Sequence, residues 1–130
     1  MIRFHYNGKS VSIDPDNIYY KKDIKKVWNG WYSGLYFIFD KNNALLYVGW
    51  ATYLPDRIKQ HFRGNSKNTR NFLDEMERAE TIDAKRFNDI QAEIKNKLGI
   101  TFEDFEGFFI EVMKPKYNRR RVRANVSLLK

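Results

Sequence analysis

The chain has no cysteine, only two histidines, and no apolar run long enough to cross a bilayer. Without thiols, disulfides and thiolate zinc sites are excluded. With only His5 and His61 as nitrogen donors, a bound metal must be held mostly by oxygen. That suits magnesium or manganese better than structural zinc. The missing apolar run excludes a membrane-spanning helix, and the first residues lack the apolar core of a secretion signal. A soluble, cytoplasmic protein is therefore expected. Acidic residues are the scarcer charge, 16 against 24 Lys and Arg, for a net charge of +8. What is present suffices for one core: 42% of the 130 residues are hydrophobic and 16% aromatic, the composition of a small folded domain.

The positive charge is unevenly placed. Lys114, Lys116, Arg119, Arg120, Arg121, Arg123 and Lys130 crowd the C-terminal end with no acid among them. Arg57, Lys59, Arg63, Lys67 and Arg70 form a second cluster, whereas most of the acids lie between Asp74 and Glu106. Such polarity suggests one face for a polyanion and another for solvent. The competing reading of the basic runs is plain solvated surface.

Gly34-Leu35-Tyr36 and Tyr47-Val48-Gly49 read as parts of two short strands, with Asp40-Lys41-Asn42-Asn43 as the turn between them. By alternation Tyr36 and Ile38 share one face and Leu35, Phe37 and Phe39 the other. On the second arm Leu45, Tyr47 and Gly49 alternate with Leu46, Val48 and Trp50. Gly49 is expected to permit close helix packing. Residues 55–62 read as a helix with Pro55 in its first turn and Ile58 and Phe62 as an apolar pair. Arg57 and His61 then project together from the rim of its buried face. Thr101 reads as the cap of a helix over about 102–113, with Phe102, Phe105, Phe109 and Val112 or Met113 as its stripe. Glu106 falls at the edge of that stripe, where a carboxylate needs a partner, a metal or a raised pKa. Pro115 ends the helix, and Lys116-Tyr117-Asn118 follow.

Elsewhere, Asn7-Gly8 predicts a hairpin over residues 2–13, with Phe4 opposite Val11 and Ile2 opposite Ile13. Two more helices are expected, over about 68–80 and 84–98. The second carries Phe87, Ile90, Ile94 and Leu98 on one face and Gly99 as its C-cap. The stretch from Ile18 to Tyr32, with Lys21, Lys22, Lys25 and Lys26 close together, yields no clear pattern. Residues 1–33 are left open between a substrate-binding addition, a dimer surface and a lid over the sheet.

Taken in order, the two tripeptides, Arg57, Glu106 and Pro115-Lys116-Tyr117-Asn118 resemble the GIY-YIG nuclease superfamily. His61, one turn after Arg57, is similar to the phage intron-encoded homing endonucleases of that superfamily. The stretch from Glu106 to Asn118 is similar to the nuclease domain of the bacterial excision-repair endonuclease. The resemblance covers roughly residues 34–118, with 65–100 as an insertion-like stretch. It departs at Trp50, where the excision-repair branch places a lysine.

An α+β fold is expected: a small central, mostly antiparallel three-stranded sheet built on the 34–49 hairpin, with a further strand near Tyr117 and flanking helices. An N-terminal hairpin extension (1–33), a nuclease core (34–118) and a basic C-terminal segment (119–130) would make up a single domain. The resemblance implies a divalent-metal-dependent endonuclease that hydrolyses phosphodiester bonds in DNA, with RNA left open. It implies one Mg²⁺ or Mn²⁺ ion on Glu106, Arg57 on the phosphate, and Tyr36 or Tyr47 as general base. His61 would share the base's task or bind phosphate, and Asn118 would orient Glu106 or a loop. Lys59, Arg63, Lys67, Arg70, Lys116, Arg119, Arg120, Arg121 and Arg123 are the expected nucleic-acid contacts of a monomer or homodimer. The alternative is a non-catalytic nucleic-acid-binding module on the same fold.

Overall fold

In the computed structural model, which describes residues 1–27, 30–118 and 127–128, strands β1 (Ile2–Tyr6) and β2 (Lys9–Ile13) close on Asn7-Gly8. Both turn residues have positive φ, 48° and 77°, the geometry that matches strand twist in a two-residue turn. Ile2 pairs with Ile13 and Phe4 with Val11, as the turn predicts. All four side chains are buried, so the hairpin covers one face of the sheet.

The chain continues through β3 (Asn17–Tyr20), a 3₁₀ turn (Lys21–Lys26), β4 (Gly34–Phe39), β5 (Leu45–Ala51) and helix α1 (Leu54–Phe62). A 3₁₀ turn (Arg70–Glu75), β6 (Arg78–Asp83), α2 (Phe87–Leu98), β7 (Ile100–Thr101), α3 (Phe105–Met113) and β8 (Ser127–Leu128) complete it. The fold is α+β, and its main sheet is antiparallel in the order β3-β6-β4-β5. Among the described residues no helix is long and apolar enough to cross a membrane.

The sheet has four strands rather than three, because β3 and β6 both join it while the stretch near Tyr117 does not. Strand β6 takes over the last residues of the helix expected over about 68–80. Glu77, Arg78 and Glu80 favour a helix locally. In the fold, β6 lies between β3 and β4, and buried Glu80 is matched by Arg78 Nε at 2.9 Å and the amino terminus at 2.6 Å. Tertiary pairing overrides propensity here. The further strand near Tyr117 is a turn. The amides of Lys116 and Tyr117 donate to the adjacent carbonyls of Leu45 and Leu46, a pattern that an alternating ladder does not allow. The α3 helix begins at Phe105 instead of Phe102, since Ile100 and Thr101 are extended and pair with Leu128 and Ser127. Phe102 instead lies buried and stacked on Phe108 at 4.0 Å.

Alternation along β4 divides the interior in two. Leu35, Phe37 and Phe39 meet the hairpin, α2 and α3; Tyr36 and Ile38 meet α1 and the 3₁₀ turns. On β5 the alternation breaks at a bulge opposite Ile38 and Phe39, which sends Leu45 to the first layer and Leu46 to the second. Gly34 starts β4 because a Cβ there would lie 2.0 Å from the Ile82 carbonyl oxygen. Gly99 caps α2 with φ 66°, as expected.

Candidate active site

Strand β5 is an edge of the sheet, and the site forms along it. The first half of that edge is occupied by residues 116–118. Asn118 accepts from the Val48 amide through Oδ1 and donates to the Val48 carbonyl through Nδ2, both at 2.9 Å. This side chain therefore fixes the strand rather than Glu106. Beyond Val48 the edge opens into a cavity of about 540 Å³.

Four elements send side chains to this cavity. Strand β4 supplies Tyr36, β5 supplies Tyr47, α1 supplies Arg57 and α3 supplies Glu106, while Lys67 and Asn118 come from the loops. Glu106 reaches the cavity because it sits on the second residue of α3, at the margin of the face that buries Phe108 and Phe109. Arg57 is exposed at the mouth, whereas His61, one turn later, is 1% exposed and lies behind Tyr36. The pair is thus split between mouth and interior.

The polar interior is a chain of hydrogen bonds. Tyr36 Oη lies 2.7 Å from His61 Nε2, and His61 Nδ1 lies 2.6 Å from Thr69 Oγ1. Burial, with a smaller contribution from the Arg57 charge, pushes the His61 pKa down to about 4, so the imidazole is neutral near neutral pH. Burial also raises the Tyr36 pKa well above the usual tyrosine range. Tyr47 and Glu106 add to the rise and Arg57 opposes it. A neutral imidazole holding one proton can accept from Tyr36 only if Nδ1–H donates to Thr69. Thr69 carries no sequence signal, since it sits in the loop before a 3₁₀ turn and meets His61 only once folded.

Gly49 pairs with Tyr36 across the sheet, and a Cβ there would lie 2.3 Å from Tyr36 Oη. Its purpose is to let this ring cross the strand, not to admit a helix as expected. Tyr36 stacks on Tyr47 at 6.2 Å between centroids, and Phe72 stacks on Tyr117 at 4.1 Å. Glu75 binds the Tyr117 hydroxyl and the Lys116 ammonium, which holds residues 116–118 against the loop. Those two partners also lower the Glu75 pKa.

The other expected nucleic-acid contacts divide into groups. Lys67 lines the cavity, Lys116 is engaged by Glu75 at 3.0 Å, and Lys59, Arg63 and Arg70 lie outside the cavity wall. Arg119, Arg120, Arg121 and Arg123 fall outside the described residues.

Among the described residues, no group of three or more His, Cys, Asp or Glu could hold a metal by itself. Glu106 is the one carboxylate among the described residues that line the cavity. That donor set does not fit a closed zinc site. It fits a hard divalent cation that keeps most of its waters and takes one carboxylate plus oxygens of a bound phosphate.

Two comparisons with known proteins bear on the family. A family model described as the GIY-YIG catalytic domain matches residues 32–119. The UvrABC system protein C of Nautilia profundicola (strain ATCC BAA-1463 / DSM 18972 / AmH) is 36% identical over 85 residues. That match covers 65% of this chain but 13% of the relative, so the chain spans only a small part of the relative's length.

Proposed function

The chain belongs to the GIY-YIG family, and from that premise we propose that it is a divalent-metal-dependent endonuclease that hydrolyses phosphodiester bonds in DNA. The observation that carries the reading is the single cavity into which β4, β5, α1 and α3 bring Tyr36, Tyr47, Arg57 and Glu106.

Hydrolysis needs a water made nucleophilic, neutralisation of charge on the phosphate and stabilisation of the departing 3′-oxygen. Arg57, at the mouth, presents a planar fork of donors to two phosphate oxygens and never loses its charge. Tyr36 is the general base, because it is the motif tyrosine with a proton acceptor behind it. As water attacks phosphorus, its proton passes to Tyr36 Oη while the Tyr36 proton moves to His61 Nε2. The imidazolium, held acidic by burial, returns that proton through Tyr36 to solvent once the phosphodiester bond is cut. The bond from phosphorus to the 3′-oxygen breaks, and that oxygen takes a proton from solvent. Thr69 holds His61 in the accepting tautomer. Tyr47 walls the site and packs against Tyr36. Glu106 would hold Mg²⁺ or Mn²⁺, which when bound neutralises phosphate charge and stabilises the leaving oxygen.

One active site per chain nicks one strand at a time, so a double-strand break takes two chains or two visits. The test is conversion of supercoiled plasmid with Mg²⁺, with EDTA and with Glu106→Gln. The reading expects nicked product from the wild type with Mg²⁺ alone. Equal nicking by Glu106→Gln, or nicking that persists in EDTA, would overturn it.

A further inference from the structure

Trp31 is 89% exposed, and among the described residues its indole has one aromatic neighbour, Tyr53, standing edge to face at 5.7 Å. Tyr53 is itself 47% exposed. A lone exposed apolar side chain needs no explanation. Tryptophan is normally well buried, however, and two open rings in contact make a patch.

The chain beneath is built to display that indole. Gly30 presses on the start of α1, where a Cβ would lie 2.8 Å from Pro55 Cγ. The Tyr32 carbonyl accepts from the Leu54 amide at 3.0 Å. The Tyr32 ring packs inward, where its hydroxyl accepts from Asn17 Nδ2 at 3.1 Å and bonds to the Tyr19 hydroxyl. With both neighbours fixed, Trp31 is held out from the surface and adds almost nothing to the core.

The patch lies beside the candidate active site. Gly34 pairs with Ala51 across β4 and β5, so residues 31–33 run alongside the chain that leaves β5 for α1. Tyr53 immediately precedes α1, and its carbonyl accepts from the Arg57 amide at 3.0 Å. Arg57, one turn on, lines the cavity. A helical turn rises about 5.4 Å, and a DNA strand advances about 3.4 Å per nucleotide. A strand whose phosphate sits on Arg57 thus meets Tyr53 and Trp31 within roughly three nucleotides.

Building on the nuclease reading above, we infer that Trp31, supported by Tyr53, stacks on an unpaired base of the DNA close to the cut. Every base has a π-face, and an exposed indole offers a large one to match it. Inside matched duplex both faces of a base are already covered, so the base that stacks here is out of the helix. Substrates with a single-stranded stretch beside the cut are therefore preferred over matched duplex. Because stacking tolerates every base, the preference is for structure rather than sequence.

The test places 5-iododeoxyuridine in turn at each unpaired position of a duplex carrying a single-stranded flank. The complex is irradiated in EDTA and its crosslinked peptides are mapped. Wild type should crosslink at Trp31 or Tyr53 from one narrow window of positions. Affinity for flanked and matched DNA is measured by fluorescence anisotropy in the same buffer. Wild type should bind the flanked DNA about ten-fold more tightly, and Trp31→Phe, which keeps a ring face, should retain the preference. Trp31→Ala and Trp31→Leu should lose it, the leucine keeping apolar bulk without the ring. At so exposed a position both should melt as wild type does. Crosslinks confined to other residues, or a preference that survives in either variant, overturn the inference, and the indole is then left for a protein partner. Neither arm needs cleavage. Stacking at Trp31 without metal-dependent cutting would sink the nuclease reading alone. Cutting that needs Mg²⁺ and Glu106, with a preference unaltered in Trp31→Ala, would sink only the stacking.

Discussion

Tyr36 and Phe37 are neighbours on β4, and their side chains enter opposite layers of the molecule. Phe37 is fully buried and meets the edge of Phe109 at 5.2 Å, among side chains from the N-terminal hairpin and α3. Tyr36 is almost as buried, but its hydroxyl meets His61, which in turn meets Thr69. In the first layer, size and shape decide stability, and many apolar replacements of similar volume would serve. In the second, each polar group must find its partner, because an unsatisfied buried donor or acceptor costs about 1–3 kcal/mol. The first layer anchors the fold, and the second holds chemical groups in place at some cost to it.

If this division is right, truncation in the apolar layer has the largest effect on stability. Phe109→Ala, at a fully buried position, should lose about 3–5 kcal/mol in urea unfolding. A loss below about 1 kcal/mol would erase the distinction between the layers.

Acid should act through the polar layer. The unfolded chain protonates His61 near its ordinary value of 6.5, whereas the folded chain resists down to about 4. Between those values the unfolded state binds more protons, so stability is full above the window and falls as pH drops through it. The wild type should lose about 2–3 kcal/mol over that range relative to His61→Gln. Parallel stability–pH curves for the two proteins would show that His61 is not held neutral.

A smaller but more local effect is expected at the boundary between stability and chemistry. Gly49→Ala places a methyl where the Tyr36 ring lies, so the ring must shift. Overpacking of this kind costs about 1–3 kcal/mol, and cleavage should fall further than stability because the Tyr36 to His61 bond is broken. An alanine variant with wild-type melting and cleavage would mean that the ring has room the structure denies it.

The two layers also differ in how far they were legible in the sequence. Asn7-Gly8, the alternation of β4 and the spacing of Ile90, Ile94 and Gly99 are local signals, and the elements they predict are present. Glu80 misled because its partners, Arg78 and the chain's own amino terminus, turn a charged helix-like run into a buried strand. The bulge that divides Leu45 from Leu46 has no composition cue. In the candidate site, Tyr36, Tyr47, Arg57 and Glu106 could be picked out by motif and spacing, and the fold brings them to one cavity. Thr69 and the clamp of Glu75 on Tyr117 and Lys116 could not, since both are contacts between a loop and elements distant from it.

Arg57 offers the most direct test, because the proposal gives it a part in the chemistry while it contributes little to either layer. It is exposed at the mouth of the cavity, where truncation normally moves stability by no more than about 0.5 kcal/mol. The measurement is single-turnover DNA cleavage and thermal melting of Arg57→Ala on the same preparation. The account predicts unaltered melting with cleavage slowed by a factor on the order of 10² or more, as expected when a donor to developing charge is removed. Wild-type cleavage by the variant, or a loss of activity explained by a matching loss of stability, would contradict it.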